Sequence, residues 1–304
     1  MIYLLQRLTQ GVLVLLGVTT IVFALTFLSG DPASALAPLD STPEEREIFR
    51  RNLGLDRPIP VQYVDFVLRA AQGDFGRSFN HREPAMGVVI ERLPATLKLA
   101  AAAILFALLM SLPLGVLAAT FHNRWIDNAA RLVAFLGQSI PVFLLGIVLI
   151  LVFAVRLRWL PSSGGDTWQA LIMPAVTVGA FSAAVLTRLL RSSLLEVLGQ
   201  DYIRTAHAKG VPRRLILLRH ALRNAALPYI TMVGLQVGFL LSGAIVAETI
   251  FAYPGMGRLA VTAIATKDVP VIQSFVIVTA VVVIVANLLV DLAYTRLDPR
   301  IRLS

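Results

Sequence analysis

The chain has 304 residues, 57% of them hydrophobic and only 15% charged, with a mean hydropathy of +0.77. Those values exclude an ordinary soluble domain and point to an integral membrane protein. The absence of cysteine excludes disulfides and thiolate metal sites. The formal charge of +9 fits basic loops beside anionic lipid head groups, not a nucleic-acid surface.

Six stretches carry no Asp, Glu, Lys, Arg or His: 8–30, 99–121, 132–155, 171–187, 228–247 and 271–290. About 20 apolar residues cross a hydrocarbon core of about 30 Å, so each is long enough to span, with 171–187 at the short limit. Each is expected to be helical, because lipid cannot satisfy a free backbone N–H or C=O. The first is too long for the apolar core of a signal peptide and is read as a span.

Lys and Arg set the orientation. With the N-terminus inside, the inner segments hold fourteen basic residues against five acids, and the outer ones thirteen of each. The expected architecture is therefore all-α, with six transmembrane helices and both termini on the inner side. Between the first two spans lies the one sizeable extramembrane segment, 31–98. Thr42-Pro43-Glu44-Glu45 predicts a capped helix ending near Gly54. A second helix is predicted from Pro60 to Gln72, stopped by Gly73, with Val64, Val67, Leu68 and Ala71 as its apolar face. The pair is too small for a catalytic domain and reads as a cap on the outer mouth.

The most unusual stretch is the polar island 188–227, between the fourth and fifth spans, with eight Lys/Arg against two acids. Leu194, Leu195, Val197 and Leu198 continue the fourth span inward, and Gly199 breaks it. Asp201 to Gly210 (DYIRTAHAKG) predicts a short helix stopped by Gly210, with Pro212 preventing continuation. A basic amphipathic helix, 213–227, then leads to Pro228 and the fifth span. Thr205, Ala206 and Ala208 are small enough to let another protein's surface approach closely, while Arg204 and Lys209 supply charge. On residue physics alone, a solvated basic linker is an equal alternative.

These residues resemble the cytoplasmic EAA loop of binding-protein-dependent ABC importer permeases. Arg204-Thr205-Ala206-His207-Ala208-Lys209-Gly210 aligns at its glycine, although the general pattern's Glu and first Ala are replaced. The resemblance extends over the whole chain through GDP at 30–32, LGLDRPIPVQY at 53–63, GDFGRS at 73–78, RLPATLKL at 92–99, ETIFAYPGMGRL at 248–259 and NLLVDLAYTRLDPRIR at 287–302. The order and spacing of these fragments are similar to the dipeptide, glutathione and nickel branch. NRWIDNAARLVAF at 123–135 and the loop at 156–174 look most like the glutathione type.

The resemblance implies a type I ABC importer permease fold in a bacterial cytoplasmic membrane. A peripheral first helix (1–30) and the external segment (31–98) would precede a five-helix transport core (99–290) and a cytoplasmic tail (291–304). It implies a second homologous permease, forming a heterodimer, two ATP-binding subunits that carry the ATP and Mg, and an external solute-binding protein. Asp201, Tyr202, Arg204, Thr205, Ala206, His207, Ala208, Lys209 and Gly210 would form the coupling helix against the ATPase. The solute would be a dipeptide, oligopeptide, glutathione or, in the same family, a nickel chelate.

Further candidates come from polarity at membrane depth. Gly234, Gly238 and Ser242 form a ladder of small residues that suits a subunit interface lining the pathway or packing within one subunit. Gln138 and Gln236 could hydrogen-bond a solute or a neighbouring helix. Glu248, at the outer end of the fifth span, could contact the binding protein or a peptide amine, or could be a satisfied interfacial carboxylate. Tyr253, Pro254, Gly255 and Gly257 form a turn-rich segment that reads as a re-entrant outer gate. His207 and His220 are too isolated to hold a metal.

Two other function classes are weakened. No span carries an ionisable group, which argues against a proton-coupled carrier. There is no paired aspartate, no G-x-S-x-G and no G-x-x-x-x-G-K-[ST], so the chain lacks residues for an intramembrane hydrolase and for ATP hydrolysis of its own.

Overall fold

A computed structural model describes residues 2–28, 42, 44, 51 and 56–297, and among these the regular elements are helices. Most of the predicted helix from Thr42 to Gly54, and the tail beyond 297, lie outside the described residues. The helices are α1 (Ile2–Leu28), α2 (Ile59–Ala71), α3 (Ala85–Thr120), α4 (Trp125–Ser139), α5 (Val142–Arg156), α6 (Trp168–Leu198), α7 (Asp201–Ala208), α8 (Arg213–Ile250), α9 (Met256–Ala265) and α10 (Val269–Leu297). The last seven residues of α5 and Ile216–Ala221 within α8 are wound as π-helix.

Among the described residues, α3, α6, α8 and Val269–Val290 of α10 are long and apolar enough to cross a membrane alone. The bent pair α4–α5 makes a fifth crossing if it counts as one span. The apolar part of α1, Thr9–Ala24, is shorter. The third apolar stretch, 132–155, is expected to be a helical span; it is broken, with a 105° bend between α4 and α5. The cause is local. Pro141 disfavours the helical region for the residue before it, and Ile140 is extended at φ −81°, ψ 122°. Pro141 then opens α5 from its N-cap.

The chain divides into two packed units. The first comprises residues up to 94 together with 256–285. Here Val22, Phe66 and Phe75 form one apolar cluster. Phe66 lies 5.6 Å from Phe23 and 6.2 Å from Phe75, and Phe23 meets Tyr63 edge-on at 5.4 Å. The predicted apolar face of α2 is thereby corrected: Val64 and Leu68 are exposed, and the buried residues are Gln62 and Phe66. Aromatic area decides the orientation, because Tyr63 and Phe66 bury more surface than the aliphatic stripe offers. Helix α2 stops as expected, with Gly73 at φ 75°. In the same unit a turn at 77–84 is held to the end of α9: Ser78 Oγ donates to Asp268 Oδ2 at 2.6 Å, and Asn80 Nδ2 to Thr266 Oγ1 at 2.5 Å.

The second unit, 95–255 with 286–297 among the described residues, is built around α6. In α6, 67% of the most apolar eighteen-residue window is buried, the largest share among the helices long and apolar enough to span. Small residues let its neighbours approach. A Cβ on Gly179 would sit 2.6 Å from the Ala103 carbonyl oxygen of α3, and one on Gly137 of α4 would sit 3.2 Å from the Ala180 oxygen. Helix α8 runs unbroken through Pro228, so the expected separate amphipathic helix at 213–227 is the first part of one 38-residue helix.

Candidate functional site

Helix α7 stands alone between the two longest helices of the second unit that lead to and from it. Helix α6 ends at Leu198, and Gly199 caps it. Helix α7 then runs from Asp201 to Ala208. Its end is the one the residues demand: Gly210 adopts φ 77°, its N–H reaches the His207 carbonyl at 3.0 Å, and Pro212 follows as the N-cap of α8. Ile203 is its one buried side chain, at 1% exposure. Tyr202 accepts a hydrogen bond from Asn224 Nδ2 of α8 at 2.8 Å. Asp201, Arg204, Thr205, His207, Ala208, Lys209 and Gly210 are exposed, and Ala206 is half-buried. Among the described residues Arg204 pairs with Asp201, one turn away on the same helix, at 3.2 Å. The predicted segment is therefore tied to its own chain by Ile203 and Tyr202 and turns its remaining surface outward.

The small-residue ladder splits. Gly234 is packed: a Cβ there would meet Val290 Cγ1 at 2.2 Å. Gly238 meets nothing within 4 Å, and Ser242 is exposed, bonding back to the Gly238 carbonyl at 3.4 Å. Gln236 is buried and accepts from Ser182 Oγ of α6 at 2.9 Å, a helix–helix bond. Gln138 is half-buried, two residues before the Ile140–Pro141 bend.

At the far end of α8, Glu248 is fully buried and its Oε1 accepts from Thr96 Oγ1 at 2.6 Å. The carboxylate lies on the backbone of Gly255, where a Cβ would fall 2.1 Å from Glu248 Cδ. Only glycine fits there. Tyr253 N–H donates to the Glu248 carbonyl at 2.9 Å. Burial, and next the neighbouring Glu248 charge, push the Tyr253 hydroxyl above its ordinary range. Gly165 of the loop before α6 packs on Pro254, leaving 2.5 Å for a Cβ. Gly257 lies in the first turn of α9, in the first unit.

One ionic centre escaped the sequence reading. Asp127, in the first turn of α4, has no exposed side-chain surface. Arg191 of α6 grips it bidentately, Nε to Oδ1 at 2.6 Å and Nη2 to Oδ2 at 2.8 Å. The Asn123 N–H donates to Oδ2 at 2.9 Å, His122 Nδ1 lies 3.3 Å from the same oxygen, and Arg131 Nε lies 3.8 Å from Oδ1. The Arg191 hydrogen bonds hold the Asp127 carboxyl well below the usual carboxylate range, against the opposing pull of burial. A lone acid beside an apolar stretch was the available signal, but its partner is 64 residues away.

An apolar groove of about 330 Å³ runs between α3 and α6, lined by Leu105, Phe106, Leu109, Trp168 and Leu171 among others. Its lining is apolar apart from the Trp168 indole N–H. Among the described residues no three His, Asp or Glu come together as a metal site.

Long apolar helices, with a short and largely exposed polar helix set between two of them, are the build of a membrane-embedded protein. The comparisons agree. Residues 111–303 match the family described as binding-protein-dependent transport system inner membrane component, and residues 1–100 match its N-terminal companion. The chain belongs to this family and is an ABC importer permease. It is 42% identical over 301 residues to the glutathione transport system permease protein GsiC of Escherichia coli strain K12, covering 99% of this chain and 98% of that one. The GsiC of Salmonella typhi matches to the same extent. The fold is similar to an inward-facing structure of the MetNI methionine ABC transporter, with a TM-score of 0.60 and 18% identity, over 70% of this chain and 97% of that one.

Proposed function

We propose that this chain carries a small peptide of the glutathione or dipeptide type across the cytoplasmic membrane, received from an external binding protein. The 42% identity to glutathione permeases over nearly the full length supports the solute class. In this reading six spans place both termini inside, with α1 as the peripheral first span and a different homologous chain as the second permease. Two ATP-binding subunits bear on α7, and ATP and Mg reside with them. The face of α8 that carries the half-buried Gly238 and the exposed Ser242 lines the pathway or meets the second permease, and the Tyr253–Gly255 turn, anchored from within by Glu248, contributes to the outer gate.

The observation that carries the reading is α7 itself. A polar helix of eight residues, held by one buried isoleucine and joined to both α6 and α8, is built to be pushed from outside. Alternating access then follows if closed ATPases bind one conformation of the pair α6–α8 better than the other. The test is replacement of Ala206 by Trp or Gly210 by Val. The expected result is normal membrane insertion with loss of binding-protein-stimulated ATP hydrolysis and uptake. Full uptake in both variants would falsify the docking role.

A further inference from the structure

The Asp127 centre is unused by the function proposed so far. Its geometry is that of a fixed joint. A buried carboxylate accepting a two-point guanidinium fork and a backbone N–H has no slack, since sliding either helix would strand a charge away from water. A second contact joins the same two helices. Gly137 of α4 lies against Ala180 and Ala184 of α6. Residues 127 and 137 are about 15 Å apart along α4, at about 1.5 Å per residue. Two contacts that far apart prevent α4 from pivoting on α6.

The joint also has an input and an output. Arg191 lies two turns before the end of α6 at Leu198, where the chain enters α7. Asp127 lies at the start of α4, whose other end is the 105° bend at Ile140–Pro141. A displacement of α7 enters α6, crosses to α4 at Arg191–Asp127, and arrives at a break in the third apolar stretch. Gln138 sits beside that break.

We infer that Asp127 and Arg191 are positioning residues for transport: their ion pair makes α4 follow α6, so that motion of α7 is delivered to the bend at Ile140–Pro141. This rests on the reading of α7 as the helix on which the ATPase bears.

The experiment uses the assembled importer in liposomes, with its binding protein and radiolabelled glutathione as the probe. Asp127→Asn keeps shape and removes charge, while Arg191→Lys keeps charge and removes the fork. Both are expected to assemble and hydrolyse ATP at the basal rate. Solute moved per ATP should fall at least about fivefold in each, the lower end of ordinary coupling energies. An unchanged solute-to-ATP ratio in both overturns the joint. Failure of both to co-purify with the ATPase also overturns it and assigns the pair to folding alone. Gly210→Val separates the two readings. If it transports normally, α7 is not the docking helix; if it is uncoupled while Asp127→Asn is not, the joint alone fails. Should the wild-type importer ignore glutathione, that outcome concerns the solute, and stimulation of ATP hydrolysis by the binding protein becomes the ratio that decides.

Discussion

Two Asp–Arg pairs of the second unit, Asp127–Arg191 and Asp201–Arg204, have identical chemistry and opposite settings. Asp127 is fully buried and Arg191 is 18% exposed, whereas Asp201 and Arg204 are 94% and 76% exposed. The first pair ties two helices together across 64 residues of sequence; the second spans a single turn of α7. Desolvation makes the difference. A buried charge must keep its partner because water cannot replace it, while an exposed one exchanges its partner for water at little cost. The α4–α6 contact is thus closed by its own residues, whereas most of α7 is exposed, as the proposed docking of an ATPase requires.

The largest effect that would break this contrast is on stability. Arg191→Ala strips the buried Asp127 of its two-point guanidinium partner, leaving only the Asn123 N–H, His122 and the more distant Arg131, and should cost about 3 kcal/mol. Arg204→Ala should cost less than about 1 kcal/mol. Thermal unfolding of the purified complex, read alongside its yield from the membrane, checks both. Equal losses for the two variants would show that burial is not what separates them.

A smaller effect sharpens the account of α7. Gly210 holds φ 77°, where a β-carbon strains the backbone, so Gly210→Ala should destabilise the end of α7 by about 1–2 kcal/mol. Nothing lies within 4 Å of its Cβ position, so the cost is conformational and not steric. Hydrogen exchange should show faster opening of residues 205–211 with no change in α4 or α6. A change spreading to α6 would mean that α7 is not the separate element described above.

Local signals were legible in the sequence, and partner choice was not. The end of α7 could be read from Gly210 and Pro212, and that of α2 from Gly73, because these residues act through their own backbone preferences. The break at Ile140 was equally local, yet the run of apolar residues on both sides of Pro141 was read as one helix. The burial of α2 on Phe66 rather than on its aliphatic stripe depended on where Phe23 and Phe75 arrived. Asp127 and Arg191 looked like members of a basic inner surface. Their pairing, like the seat of Glu248 on Gly255, is made by tertiary packing, for which a single sequence has no periodic signature.

The smallest expected effect is an absence, and it follows from the sign of the Asp127 shift. Arg191 holds the folded carboxyl below the unfolded value of about 4, so its contribution to stability is fully present above pH 4. It is lost only as pH falls through the lower folded value. The difference in Tm between wild type and Asp127→Asn should therefore stay constant from pH 8 to pH 5. The groups facing the carboxylate are Arg191, Arg131 and His122, the last with its Nδ1 at 3.3 Å. A difference that narrows over that range, but stays constant in a His122→Asn background, would belong to the imidazole. One that narrows in both backgrounds would show that the carboxylate itself takes up a proton, and that the joint between α4 and α6 is weaker than its two-point geometry requires.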